Sequence, residues 1–305
     1  AHRIGQGMTH DHDTAHEDEH DHEHEHGPLA ELVTVRDWLR YAVTRFNRAG
    51  CFYGHGLQDA YDEAVYLVLH TLALPLDRLE PFLDACIPGD EREDILEVIE
   101  KRAVDRLPAA YITGEAWLGE FRFQVDKRVI IPRSYFAELL HDGFTPWVQD
   151  PDAVTAAMDM CTGSGCLAIL MAFAFPNAEI VAVDISQDAL DVAAANIAAY
   201  GLEDRIRLVK SDGFAQVPEQ RFDFILSNPP YVTREAMEAL PAEYLHEPGL
   251  ALGSGEDGLD LVRKLLADAP RYLTPEGLLA IEVGHNREIV EAAFPALSPT
   301  WLSAP

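Results

Sequence analysis

Residues 153–186 read AVTAAMDMCTGSGCLAILMAFAFPNAEIVAVDIS, and the succession of textures in this stretch decides the fold. An apolar run ending in Asp159-Met160 meets the small, turn-forming residues Cys161-Thr162-Gly163-Ser164-Gly165. An uninterrupted apolar segment follows from Cys166 to Phe175, and a second apolar run closes on Asp184. Apolar strands with no polar alternation are strands buried on both faces, and an apolar helix between two of them makes a parallel crossover unit. Gly163 and Gly165 let the backbone approach a ligand closely at the start of the helix. Only a GxG is present, not a full GxGxxG, so the turn alone says little. Asp184, 21 residues after Gly163, adds the weight: an acid at the tip of the second strand can accept hydrogen bonds from both hydroxyls of a ribose. Its plainer role is to cap the helix that begins at Gln187, although Ser186 can serve there instead.

Working toward the C-terminus, the alternation continues. QDALDVAAANIAAYG is a helix closed by Gly201, RIRLVKSD (205–212) a third strand and FDFILSNPPY (222–231) a fourth. GLDLVRKLLADAPRYL (258–273) is a helix and GLLAIEVG (277–284) a fifth strand. The pattern specifies an α/β fold with a doubly wound, mostly parallel sheet. Asp212 ends the third strand, where a carboxylate can accept a hydrogen bond from the exocyclic amine of adenine; an Asp-Gly turn is the commoner use of such a pair. Asn228-Pro229-Pro230-Tyr231 ends the fourth. Two prolines remove backbone donors and leave carbonyls facing the cleft. With the Asn228 side chain they can grip a planar NH2 group by both hydrogens while Tyr231 packs on its face. Such a site rejects groups that lack the NH2, because its acceptors would go unpaired. Glu282, in the fifth strand, faces the same edge and receives no role.

Toward the N-terminus, residues 33–108 are helical in period. VRDWLRYAVTRFNRAG places Val35, Trp38, Leu39, Ala42, Val43 and Phe46 on one face and ends at Gly50; DAYDEAVYLVLHTLAL repeats the pattern. DEREDILEVIEKRAVDRLP puts Ile95, Val98, Ile99 and Val104 inward. EFRFQVDKRVII then alternates, and Asp126-Lys127 suggests the turn of a β-hairpin bridging two domains. SYFAELLHDGF is a further helix. Residues 1–27 are different material: eight of the thirteen histidines lie there among Asp and Glu, so a disordered tail is expected, with opportunistic metal binding as its functional alternative. Ala1–Gly7 reads as an addition ahead of a start at Met8.

The 305 residues suit about two domains. Lys and Arg number 23 against 52 Asp and Glu, a net charge of −29. A surface so acidic repels phosphate backbones and disfavours broad nucleic-acid binding, while it suits a basic protein or a cationic ligand. No apolar stretch reaches the ~20 residues of a membrane span, and no secretory leader is expected. Cys51, Cys86, Cys161 and Cys166 form no CxxC pair, and all four are expected to be reduced thiols in a cytoplasmic protein.

DMCTGSG, VDIS, SD and NPPY, in this order and spacing, resemble the HemK-type class I methyltransferases, with a Rossmann-like fold. YGHG (53–56), YITGEAW (111–117), VIIPRS (129–134) and LPAEYLHEPGLAL (240–252) resemble most the PrmB-type subgroup that acts on large-subunit ribosomal protein L three. The resemblance covers residues 33–302 and implies methyl transfer from S-adenosylmethionine to the side-chain amide of a protein glutamine. It implies Asn228, Pro229, Pro230 and Tyr231 as catalytic. Asp159, Cys161, Thr162, Gly163 and Gly165 would serve the methionine end of the cofactor, Asp184 and Ile185 the ribose, and Asp212 and Gly213 the adenine, with Asn228 adjoining. Gly213 stands where relatives carry a bulkier residue. No metal and no strong general base is implied. The resemblance also implies a final β-hairpin that the sequence ending at Pro305 does not contain. The expected organisation is a tail (1–27), a helical substrate-recognition domain (28–110), a hairpin linker (111–133) and a methyltransferase domain (134–305). The alternatives are glutamine methylation of peptide chain release factors, adenine-amino DNA methylation, and a silent cofactor-binding module.

Overall fold

The computed structural model describes residues 27–302; the tail expected over 1–27 falls almost wholly outside them. Five helices come first: α1 (Pro28–Glu31), α2 (Val35–Ala49), α3 (Ala60–Thr71), α4 (Gly89–Ala103) and α5 (Ala109–Thr113). A capping box between Thr34 and Asp37 starts α2, and Gly50, at φ +64°, ends it; glycine alone takes that left-handed position cheaply. Trp38, Phe46, Leu67, Ile95 and Ile99 close this core. Val104 does not join it and is 62% exposed. Val104 keeps helical geometry, its N–H donating to the Glu100 carbonyl, and five positions after Ile99 the 3.6-residue period itself turns it away from the core.

The hairpin exists, but its turn is elsewhere. β1 (Glu115–Leu118) pairs antiparallel with β2 (Phe121–Gln124), so Gly119 and Glu120 make the turn, with Gly119 at φ +61°. A two-residue hairpin turn needs a left-handed first position, which Gly supplies and the Asp126-Lys127 pair does not. Asp126 instead bends the chain locally by accepting the Arg128 N–H and side chain.

The remainder is α6 (Phe136–His141), β3 (Ala156–Met160), α7 (Cys166–Ala174), β4 (Glu179–Asp184), α8 (Gln187–Ala199), β5 (Ile206–Lys210), β6 (Phe222–Ser227), α9 (Arg234–Glu238), α10 (Asp260–Tyr272), β7 (Leu273–Ile281) and α11 (Arg287–Ala293). The five-stranded sheet has the order β5-β4-β3-β6-β7, parallel throughout. Successive strand residues point to opposite faces. Ala157, Ile180, Phe224 and Leu226 therefore meet α6, α7 and α8, while Met158, Met160, Val183 and Ile225 meet α10. β7 begins four residues before the expected Gly277 and is irregular opposite Phe222 and Phe224. The order reverses between β3 and β6, and at that switch point the carboxyl ends of the strands leave a crevice. Among the described residues no helix is long and apolar enough to cross a membrane.

Candidate active site

The loop after β3 is shaped by its backbone. Cys161 is held at φ +69° and Gly163 at φ +54°. The Cys161 and Thr162 N–H groups both donate to the Val183 carbonyl at 2.9 Å, which ties the loop to β4. Asp184, at the β4 tip, accepts the Gly163 N–H at 2.9 Å on Oδ2 and the Ser186 N–H at 2.9 Å on Oδ1. It is not the cap of α8: Ser186 fills that position by accepting from Ala189 N–H. Burial raises the Asp184 pKa despite those hydrogen bonds, so this carboxylate gains by meeting further donors. Gly165, at φ +80°, opens α7, and a Cβ there would lie 3.1 Å from that of Ala193; its absence lets α7 and α8 pack.

Asp159 sits under the loop, fully buried, and accepts the Thr162 hydroxyl at 2.6 Å. Burial pushes its carboxyl up to about 7, and its Oδ1 has no partner among the described residues.

A cavity of about 360 Å³ opens beside these tips, bordered by Cys161, Gly163, Asp184, Ile185, Asp212, Gly213, Asn228 and Pro230. Seven of the ten residues expected at the cofactor thus share one cavity. Asp159, Thr162 and Gly165 support the loop from behind and do not line it; neither do Pro229 and Tyr231. A Cβ on Gly163 or Gly213 would meet no protein atom within 4 Å, so both glycines present bare backbone to the space. Ile185 leaves 47% of its surface open at the lip. Asp212 is already paired, with Lys264 Nζ at 3.0 and 3.1 Å. Arg128, Val129 and Ile130 border the cavity, as do Pro248, Leu250, Ala251 and Ser254. None of these is among the site residues expected from the sequence; Val129, Ile130, Pro248, Leu250 and Ala251 lie in segments that carry only the family resemblance. The second group is carried over the cavity when Val232 pairs with the chain at Leu252–Ser254.

The acceptor side is stitched from distant segments. Asn228 donates its side-chain NH2 to the Arg133 carbonyl at 3.4 Å, which leaves Oδ1 free to accept. The Arg133 guanidinium is clamped by Glu247 at 2.8 and 2.9 Å, stacks over Tyr244, and shares Glu247 with His55, whose Nε2 lies 2.5 Å from Oε1. Burial acts to raise the Glu247 pKa, but hydrogen bonds from His55 and Arg133 outweigh it and hold the carboxylate below its ordinary range. Nearby, Glu243 accepts from Arg102 at 3.0 Å, Arg106 at 2.8 Å and the Phe52 N–H at 2.9 Å, and despite burial these bonds hold it down to about 2. Arg102 also reaches Glu63 at 2.5 Å and is 1% exposed. Tyr231 points its hydroxyl at Glu282, and Ser134 does the same. YGHG, VIIPRS and the LPAEYLHEP segment, scattered in sequence, therefore meet around Asn228.

The lining offers a nucleoside a half-buried acid at the β4 tip, bare backbone at two glycines, and a second acid that is paired with Lys264. A family model described as methyltransferase small domain matches residues 147–247. The ribosomal protein uL3 glutamine methyltransferase of Neisseria meningitidis (serogroup A) is 58% identical over 272 residues, 89% of each chain. That of Bordetella pertussis is also 58% identical, over 89% of this chain and 91% of its own. Ribosomal protein L11 methylase from Lactobacillus delbrueckii subsp. bulgaricus aligns with a TM-score of 0.38 and 21% identity over 59% of this chain and 79% of that one, a likeness too slight to add weight. An identity of 58% over nearly the whole of both chains, spanning the strand tips and the Asn-Pro-Pro-Tyr edge alike, places this chain in the family of ribosomal protein uL3 glutamine methyltransferases.

Proposed function

We propose that this protein transfers a methyl group from S-adenosylmethionine to the side-chain amide nitrogen of a glutamine in ribosomal protein uL3. The observation that carries the reading is Asn228, held by the Arg133 carbonyl so that its own oxygen is free at the rim of the cavity. The cofactor supplies a methyl group on a cationic sulfur. Asp184, Gly163, Ile185, Gly213 and Asp212 would hold it, and the half-buried Asp184 carboxylate favours its positive charge. The neutral amide nitrogen is a poor nucleophile, since its lone pair is delocalised into the carbonyl. The work left to the protein is orientation and electrostatics: Asn228 Oδ1 and the Pro229 carbonyl accept the two amide hydrogens and stabilise positive charge developing on nitrogen. Tyr231, outside the cavity lining, is left to pack against the glutamine amide from the substrate side.

Residues 28–110 are read as the substrate-recognition domain, 111–133 as the linker and 134–305 as the methyltransferase domain; the His55–Glu247 contact, which brings the first region to the acceptor edge, supports this. Only eight of the 52 acidic residues lie in the first 26 positions, so the folded body is itself strongly acidic. That supports capture of a basic ribosomal protein and disfavours direct binding of nucleic acid. The four cysteines are free, which supports a cytoplasmic setting. Incubation of the enzyme and methyl donor with uL3 and with release factors, followed by mass spectrometry, tests the reading. A gain of 14 Da, the mass of one added CH2, on a single uL3 glutamine is expected. Modification of the release factors alone, or of an adenine in DNA, overturns it.

A further inference from the structure

Glu282 lies one residue past the end of β7 and holds neither the donor nor the amide. Three hydrogen bonds nevertheless draw it into the acceptor edge. Its N–H donates at 2.9 Å to the carbonyl of Ser227, the residue before Asn228. Its Oε2 accepts from Ser134 Oγ at 2.6 Å and its Oε1 from Tyr231 Oη at 3.4 Å. The following residues hold the rest of Tyr231. Gly284, at φ +55°, approaches so closely that a Cβ there would stand 2.6 Å from the tyrosine Cε2. Asn286 donates to the Tyr231 carbonyl at 2.6 Å. Carbonyl, ring and hydroxyl of Tyr231 are thus each fixed by a different residue of one short turn. On the other side, Ser134 directly follows Arg133, whose carbonyl holds the Asn228 amide. One carboxylate spans both flanks of Asn228.

We propose that Glu282 is a positioning residue for the transfer: through the Tyr231 and Ser134 hydroxyls it fixes the aromatic wall and the Arg133–Ser134 segment about Asn228, and it exchanges no proton with the substrate. The proposal rests on the amide-methylation reading. Burial raises the Glu282 carboxyl above its ordinary range and pushes the Tyr231 hydroxyl up to about 12, so tyrosine is the donor in their contact. Glutamine at 282 preserves the arrangement, because its carbonyl can accept from Tyr231 while its NH2 donates to a turned Ser134 hydroxyl. A proton acceptor at this position, by contrast, fails with glutamine as it does with alanine.

The test compares Glu282→Ala, Glu282→Gln, Tyr231→Phe and the Glu282→Ala/Tyr231→Phe double variant. Readouts are kcat, KM for the protein acceptor, and donor affinity by calorimetry. Glu282→Ala is expected to lower kcat ~10–100-fold, with donor affinity within ~3-fold of wild type. Glu282→Gln is expected to recover most of that loss, and in the Tyr231→Phe background, where only the Ser134 contact remains, Glu282→Ala should cost less than it does in the wild type. Equal failure of the glutamine and alanine variants overturns the proposal. So does full multiplication of the losses in the double variant, or a matching fall in donor affinity. A crystal structure of Glu282→Ala decides it without reference to activity: displaced Tyr231 and Ser134 side chains are expected, and both unmoved would refute it. Absence of methyl transfer by the wild-type enzyme counts against the functional reading alone.

Discussion

The two sides of the cleft are built over different distances along the chain. On the donor side, Asp184 binds Gly163, 21 positions earlier, and Ser186, two positions later. On the acceptor side, Asn228 rests on Arg133, 95 positions away, Glu247 joins His55 across 192, and Glu243 takes the Phe52 N–H across 191. The donor side is a strand–turn–helix unit whose geometry follows from local backbone preferences. The acceptor side exists only when the helical region, the segment after the hairpin and the insertion at 240–252 are docked together. Donor binding and transfer should therefore be separable, and stability of the docked junction should matter to the second more than to the first.

The sharpest break between the sides is expected at Asn228. Asn228→Ala should cut turnover ~10³-fold, since it removes an acceptor aimed at developing charge, while calorimetric donor affinity changes little; retention of most of the turnover would refute the amide grip. Next in size is Arg102→Met, which leaves Glu63 buried without its cation and Glu243 with Arg106 alone. Stripping one partner from a buried ionic cluster costs about 3–5 kcal/mol, to be read from denaturant unfolding. The remaining folded protein should still bind the donor normally, and loss of donor affinity with folding intact would erase the distinction between the sides.

Asp184→Ala acts in the opposite sense. Loss of charge-assisted hydrogen bonds should weaken donor binding ~10–100-fold, and saturating donor should restore most of the turnover. The smallest effect concerns Asp159. Its folded pKa, about 7, lies above the ordinary 3.8, so the neutral form is the one favoured by folding, and stability is lost as pH rises between those values. Asp159→Asn should therefore gain on wild type by on the order of 1–2 kcal/mol between pH 5 and pH 6.5, measured as the difference in thermal unfolding. A constant difference across that range would mean that the carboxyl titrates normally.

The donor side is legible in the amino-acid order because each of its parts sits where a strand ends. Gly163, Asp184, Asp212 and Asn228 are placed at one sheet edge by strand parity alone, and all four border the cavity. The support role of Asp159, Thr162 and Gly165 is not legible in the same way, because strand alternation gives a side chain's face but not whether a ligand or another helix lies there. The hairpin turn falls elsewhere than expected because Gly119 takes the positive φ that a two-residue turn needs, and the pairing of Ala116 with Phe123 follows from it. Ser254 and Arg128 carry no signal, and Leu250 signals only through the resemblance of its segment, since their presence at the cavity depends on how loops fold back.

The amino-acid order alone therefore determined the parallel sheet, the glycine turn and the acids at its rim, because burial on both faces and left-handed backbone positions are local demands that particular residues meet. Only the tertiary structure decided that Glu243 and Glu247 tie the helical region to the segments around Asn228, and that Glu282 reaches Tyr231 and Ser134. A buried carboxylate is tolerable only beside its donors, and which donors it finds is a property of the packed chain.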